Sequence, residues 1–231
     1  MTERFSPAWI LKQVQDDKVG SNALLCIVTN VYLLYKVYYK EGEITMKLGI
    51  IIGSTRQGRM SQGMAAWVAA EAKKHEDVEV DLIDLRDFEL PMFDEAISPK
   101  YNPDRQPTGA VKQWLDTLSS TDAFIVVTPE YNRSISGVLK NAFDHIDYQL
   151  AGKAMAIASH GSYNGAFALA NLRNIIPELG AISTPKMLGI PYGSFDDTGA
   201  KVADLAMYEQ TLQTLVEEVL GYAQALATLR S

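Results

Sequence analysis

The residues of this sequence best equipped for chemistry crowd one short stretch. Ser54, Thr55, Arg56, Arg59 and Ser61 all fall within KLGIIIGSTRQGRMS, residues 47–61. Hydroxyls donate hydrogen bonds, and a guanidinium fork neutralises an anion. Ahead of them, Leu48 to Ile52 is an apolar run rich in isoleucine, the composition of a strand buried on both faces. It stops at Gly53. Beyond them, Met64, Trp67, Val68 and Ala72 recur at helical spacing, so a helix opens near Ser61. A strand that leads through such a loop into a helix N-terminus gathers unpaired N–H groups and the positive end of the helix dipole. That combination suits an anion. A plainer reading is a turn with Ser61 as the helix N-cap. The Walker pattern is absent, because Arg59 and Met60 stand where a lysine and a hydroxyl are needed. Nor do Gly53, Gly58 and Gly63 make a G-x-G-x-x-G fingerprint. The expected group is a monophosphate.

Two further loops carry polar chemistry. One runs TPEYNRSISG from Thr128 to Gly137 and continues through LKNAFD, residues 139–144. The other is SHGSYNG, residues 159–165. Both follow apolar runs that read as buried strands, AFIVV at 123–127 and AMAIA at 154–158. The remaining pattern supplies helices at 61–75, around Val111, Leu115 and Leu118, at 135–145, and from Ala166 to about Ile176, where Pro177 should close the helix. Strands are expected at 78–82 and near Ile182 or 187–190. A terminal helix spans 204–229, with Leu205, Tyr208, Leu212, Leu215, Val219 and Tyr222 on one face. Strands alternating with helices give an α/β fold, a doubly wound five-stranded parallel sheet with helices on both faces. In such sheets ligands bind beyond the carboxyl ends of the strands, which brings the three loops together.

Composition narrows the function. The chain has 231 residues, 47% hydrophobic and 21% charged, ordinary for a globular protein. A net charge of -7 argues against nucleic acid as partner. One cysteine, Cys26, precludes an intrachain disulfide, and three histidines make a metal site unpromising. The simplest compartment is the cytoplasm. Residues 1–45 do not share the alternating pattern. Their apolar run from Ala23 to Tyr35 falls short of the roughly 20 residues that a spanning helix needs, so no membrane role is expected. The expected division is an extension over 1–45 and a ligand-binding domain over 46–231.

The G-S-T-R loop, the run P-E-Y-N-x-S-x-x-G-x-L-K-N-A-x-D from Pro129 to Asp144 and the Gly-rich loop after the fourth strand resemble the NADPH-dependent FMN reductase family. Its members have a flavodoxin-like fold and include quinone, azo-dye, nitro-compound and chromate reductases. The resemblance implies FMN as bound cofactor and NADPH or NADH as co-substrate. Ser54, Arg56 and Ser61 would hold the FMN phosphate. Pro129, Glu130, Tyr131 and Asn132 would line the isoalloxazine edge, with Ser159 and Gly161 on the other side of the ring. Ser136 departs from the family, many relatives having proline there, and is expected to loosen its turn. Ser162, Tyr163 and Asn164 interrupt a loop that is often richer in glycine.

The resemblance implies an FMN-dependent NAD(P)H oxidoreductase that passes hydride to quinones, azo or nitro compounds, chromate or free flavin by a ping-pong mechanism. It also implies a homodimer or homotetramer, for which the apolar terminal helix and residues 90–93 are the expected contact surfaces. No side chain is singled out as catalytic. Glu130 reads as a helix cap, a surface charge or an acid. His160 reads as a proton donor or an exposed spacer, and His145 as structural. Arg59, Lys100 and Arg133 are candidates for the extra phosphate of NADPH. The rival functions are a flavodoxin-like electron carrier and a flavin-binding regulatory module.

Overall fold

Chain contacts divide the protein into two units, Met1–Ile44 and Thr45–Ser231. The structure, a computed structural model, describes residues 46–196, 201–203 and 205–230, all in the second unit. The expected extension and Cys26 lie outside the described residues.

Burial explains the order of the strands. β1 (Met46–Ile52), β3 (Ala123–Pro129) and β4 (Ala154–Gly161) are apolar on both faces, and β3 and β4 are buried throughout. They occupy the middle of the sheet. β2 (Val78–Asp84) alternates Val, Glu, Val, Asp and is buried at one residue alone, Ile83, which suits an edge. β5 (Ile182–Pro191) closes the other edge. The order is β2-β1-β3-β4-β5, with every pairing parallel. Strand order reverses between β1 and β3, and the loops leaving those two strands part there.

Period-2 alternation divides the core between two faces. Leu48, Ile50, Ile52, Ile125 and Val127 pack on Met64 and Val68 of α1 (Met60–Ala72) and on Leu212, Leu215 and Val219 of α5 (Leu205–Arg230). On the opposite face, Ile51, Phe124, Val126 and Met155 meet α2 (Gly109–Ser119), α3 (Gly137–Asp144) and α4 (Ala166–Glu178) through Trp114, Phe143 and Leu172. Tyr222, expected on the buried face of the terminal helix, is partly exposed, and Ala223 is buried instead.

Several boundaries differ from expectation for local reasons. α1 stops at Ala72, ahead of His75, and Lys73 caps it. α3 begins at Gly137 because Ser136 is its N-cap, accepting the Leu139 N–H at 3.2 Å. The Ser136 hydroxyl also donates to the Gly53 carbonyl, so Ser136 ties the turn that it was expected to loosen. Pro177 sits inside the last turn of α4 and does not end it. The two stretches offered for the last strand are one strand, with a bulge opposite residues 155–157.

The loop between β4 and α4 lies directly on β5. A Cβ on Gly189 would stand 2.4 Å from the Asn164 carbonyl oxygen. We therefore expect Gly189→Ala to destabilise the protein by about 1–3 kcal/mol. Urea unfolding would show this as a lower midpoint at unchanged slope, and an unmoved midpoint would contradict the packing.

Candidate functional site

Four successive carbonyls of the loop after β1 are held by side chains. Gly53 O accepts from the Ser136 hydroxyl, and Ser54 O from Arg59 Nη1. Thr55 O accepts from Arg86 Nε at 3.2 Å and Arg56 O from Arg86 Nη2 at 2.6 Å. In a planar trans peptide the N–H points opposite to the C=O. Fixing these carbonyls therefore aims the N–H groups of residues 54–57 the other way. Arg56 N–H reaches Ser54 Oγ at 3.3 Å. Among the described residues, the N–H groups of Ser54, Thr55 and Gln57 meet no acceptor.

The start of α1 adds to this set. Its N-cap is Arg59, not Ser61, with no capping side chain and no acid in the first turn, so its first N–H groups stay unpaired. Arg56 is exposed at the loop tip, and its guanidinium has no partner among the described residues. Unpaired N–H donors and one available cation, with no carboxylate, fit a phosphate.

Arg59 does not serve the expected purpose. Its side chain is 2% exposed and forms a bidentate pair with Asp84, at 2.7 Å to Oδ1. It braces the loop and is not free to bind a ligand phosphate. Burial opposes the charge of Asp84, but Arg59 and the Arg86 N–H at 2.9 Å outweigh it and hold the carboxyl below its usual pKa. Lys100 is also misplaced. Its ammonium sits on the Glu178 carbonyl, at the far end of a 13-residue helix that leads about 20 Å away from the ligand loops.

The loop after β3 is fastened to both neighbours. Tyr131 Oη and Ser54 Oγ share a hydrogen bond of 3.1 Å. Pro129 is buried at the end of β3, in register with His160. Glu130 N–H donates to His160 O at 2.8 Å, and its carboxylate accepts the Phe167 N–H at 2.8 Å. Glu130 is thus a cap, for the first turn of α4. Tyr131 and Ser134 close a tight turn whose central residues, Asn132 and Arg133, have φ of 49° and 62°. Asparagine tolerates that backbone, whereas arginine is strained in it. The exposed Arg133 guanidinium lies 4.7 Å from the Phe167 ring centroid and 5.4 Å from that of Tyr163.

On the β4 side, Gly161 is needed for close packing, since a Cβ there would stand 2.9 Å from Glu130 Cβ. Ser159 is fully buried under Gly165, and its hydroxyl is without a partner. His160 belongs to β4 and is 3% exposed, which overturns the exposed spacer. Its Nε2 shares a 2.9 Å hydrogen bond with Ser61 Oγ, and its ring lies 5.3 Å from that of Phe195. Burial pushes its pKa down to about 4. Ser61 is itself fully buried at the second position of α1, so its hydroxyl is engaged with the histidine. His145 is buried against Pro91 O at 3.0 Å, beside Asn141, which accepts the Phe93 N–H and donates to Pro91 O, both at 2.8 Å. Both residues hold the 90–93 segment. Lys140 and Asp144 form the expected exposed pair at 2.6 Å.

Sequence reasoning missed Asp84 and Arg86 and misread Ser136. The signal for Asp84 and Arg86 was the D-L-R turn after β2, legible only once Ile52 and Asp84 are known to be partners in register. Among the described residues no acidic, His or Cys cluster suits a metal, and no helix is long and apolar enough to cross a membrane.

The 2-1-3-4-5 strand order and the phosphate-suited loop after β1 define a flavodoxin-like protein. The family model for NADPH-dependent FMN reductase matches residues 46–194. The chain belongs to that family, and membership implies an FMN cofactor with NAD(P)H as co-substrate. It is 32% identical over 133 residues to an NAD(P)H-dependent FMN reductase of Schizosaccharomyces pombe, a match covering 58% of this chain and 66% of that protein, just under two thirds. It is 28% identical over 183 residues to an FMN-dependent NADPH-azoreductase of Staphylococcus haemolyticus, covering 77% and 95%. The fold resembles FerB, a flavoenzyme NAD(P)H:(acceptor) oxidoreductase of Paracoccus denitrificans, with a TM-score of 0.61, 22% identity and coverage of 78% and 98%.

His160 carries a prediction for stability. Its folded pKa, about 4, lies below its ordinary 6.5, so the unfolded chain takes up the proton first. The associated stability is present above pH 6.5 and is lost as pH falls toward 4, by at most about 1.4 kcal/mol per pH unit. Urea titrations of the unmodified protein should show that slope, and His160→Phe should flatten it. Equal slopes would place the histidine in water.

Proposed function

We propose that this chain is an oxidoreductase that uses FMN to pass reducing equivalents from NAD(P)H to small electron-poor acceptors. The observation that carries the reading is the capture of four loop carbonyls, which leaves N–H groups directed at one anion. FMN, when bound, supplies the hydride chemistry. The protein binds and orients it.

In this reading the N–H groups of Ser54, Thr55 and Gln57 and the start of α1, with the Arg56 guanidinium, hold the phosphate. Ser54 contributes by orienting the loop through Tyr131, and Ser61 by fixing the start of the helix. Pro129, Glu130, Tyr131 and Asn132 present the ring edge, with Ser159 and Gly161 supporting the opposite loop. Glu130 is occupied as a cap, and the flavin carries the chemistry, so no side chain is assigned a proton transfer. Arg133 is proposed for the extra phosphate of NADPH. It is exposed, without a carboxylate partner among the described residues, and sits on strained backbone with φ of 62°.

A second nucleotide fingerprint is missing from the sequence, so nicotinamide and acceptor take turns at one open face in a ping-pong cycle. Quinones, azo and nitro compounds, chromate and free flavin share the electron-poor character that such a face accepts. The proposed setting is the cytoplasm, and the proposed assembly a homodimer or homotetramer. The exposed Met92 of the 90–93 segment, at 77%, supports that segment as a contact surface.

Two measurements test this. FMN should bind far more tightly than riboflavin, and Arg56→Ala should narrow the gap by about 1.5–3 kcal/mol, the worth of a charge-assisted hydrogen bond. Arg86→Ala, which frees two carbonyls, should narrow it as well. Equal binding of FMN and riboflavin by the unmodified protein would refute the phosphate assignment. Steady-state NADPH oxidation with a small quinone should give parallel double-reciprocal lines. Intersecting lines would overturn the shared face, and a flavin that NADPH never reduces would favour the electron carrier.

A further inference from the structure

His160 is buried at considerable expense and makes little use of it. Its ring is enclosed by Phe195 and Tyr192, with centroids at 5.3 and 6.3 Å. Nδ1 has no hydrogen-bond partner. Nε2 has one, Ser61 Oγ, from a residue 99 positions away in the chain. A phenylalanine at 160 facing an alanine at 61 would fill the same space without desolvating either polar group. Packing therefore does not account for the pair.

The position of the pair accounts for it better. Loop 53–60 is anchored at its first residue, where Gly53 N–H bonds to Val127 O at 2.7 Å and Gly53 O accepts from Ser136. Its other end is the start of α1, which has no capping side chain. Arg59 ties the cap of that helix to Asp84 at the edge of the sheet, and the bond from β4 to Ser61, the second residue of the helix, adds a tie from the middle of the sheet to its first turn, where the free N–H groups stand. We infer that His160 is a positioning residue for the phosphate end of the cofactor, acting through Ser61 and touching no ligand itself. The inference rests on the phosphate-site reading above.

The test compares FMN and riboflavin affinities of the full-length chain by flavin fluorescence quenching. His160→Phe removes the bond and keeps the ring. It should lower the preference for FMN over riboflavin about tenfold, the effect of one hydrogen bond, and leave riboflavin affinity nearly unchanged. His160→Gln, whose amide reaches the place of Nε2, should restore the preference. Ser61→Ala should match His160→Phe, and the double variant should lose no more than either single one. Should His160→Phe fail to fold, His160→Asn, whose amide stops short of Ser61, makes the same comparison. Equal losses for both flavins, or no rescue by glutamine, would make His160 a packing residue and overturn the inference. No FMN preference in the unmodified protein would instead refute the phosphate site itself.

Discussion

The ion pair between Arg59 and Asp84 is the constraint on which the loop's geometry depends. Asp84 ends β2 beside the end of β1, and its carboxylate serves both arginines. It takes the Arg59 guanidinium on both oxygens and the Arg86 backbone N–H on one. Arg59 then holds Ser54 O, and the Arg86 side chain holds Thr55 O and Arg56 O. Three peptide planes are set in this way from the outside. Removing one partner of a buried ion pair leaves an uncompensated charge, commonly at a cost of about 3–5 kcal/mol, so the arrangement resists single changes. A loop that displays its N–H groups needs such bracing, because free peptides would turn them to water.

The second consequence is that the loops form one unit. Tyr131 joins the loop after β3 to Ser54, Glu130 joins it to the first turn of α4, and His160 joins β4 to α1. Side chains that looked chemically active are thereby engaged in holding backbone. That suits an enzyme whose cofactor does the chemistry, where the protein contributes orientation and exclusion of water.

Much of this was legible in the sequence. The buried strands announced themselves as apolar runs, and the three loops followed from a parallel sheet. Roles within the loops were harder to read, because they depend on partners distant in the chain. Arg59 looked like a ligand for phosphate until β2 paired with β1 and brought Asp84 beside it. His160 looked like a loop residue because the glycine after it suggested a turn, yet β4 carries on through Gly161. Lys100 belonged to a proline-rich connection with no periodicity to say at which end of the sheet it lay. Ser136 departed from the family pattern but found a use at once, as both cap and donor.

In the proposed site, capture of the carbonyls of residues 53–56 turns the N–H groups of Ser54, Thr55 and Gln57 toward a phosphate. Amide proton and nitrogen shifts of the full-length protein, recorded with FMN and with riboflavin, test it most directly. Binding of FMN should shift the Thr55 and Gln57 amide protons far downfield, as expected for N–H groups donating to a charged oxygen. With riboflavin at saturation those two amides should stay near their free positions. Unmoved Thr55 and Gln57 amides in the FMN complex would mean that these N–H groups do not hold the phosphate.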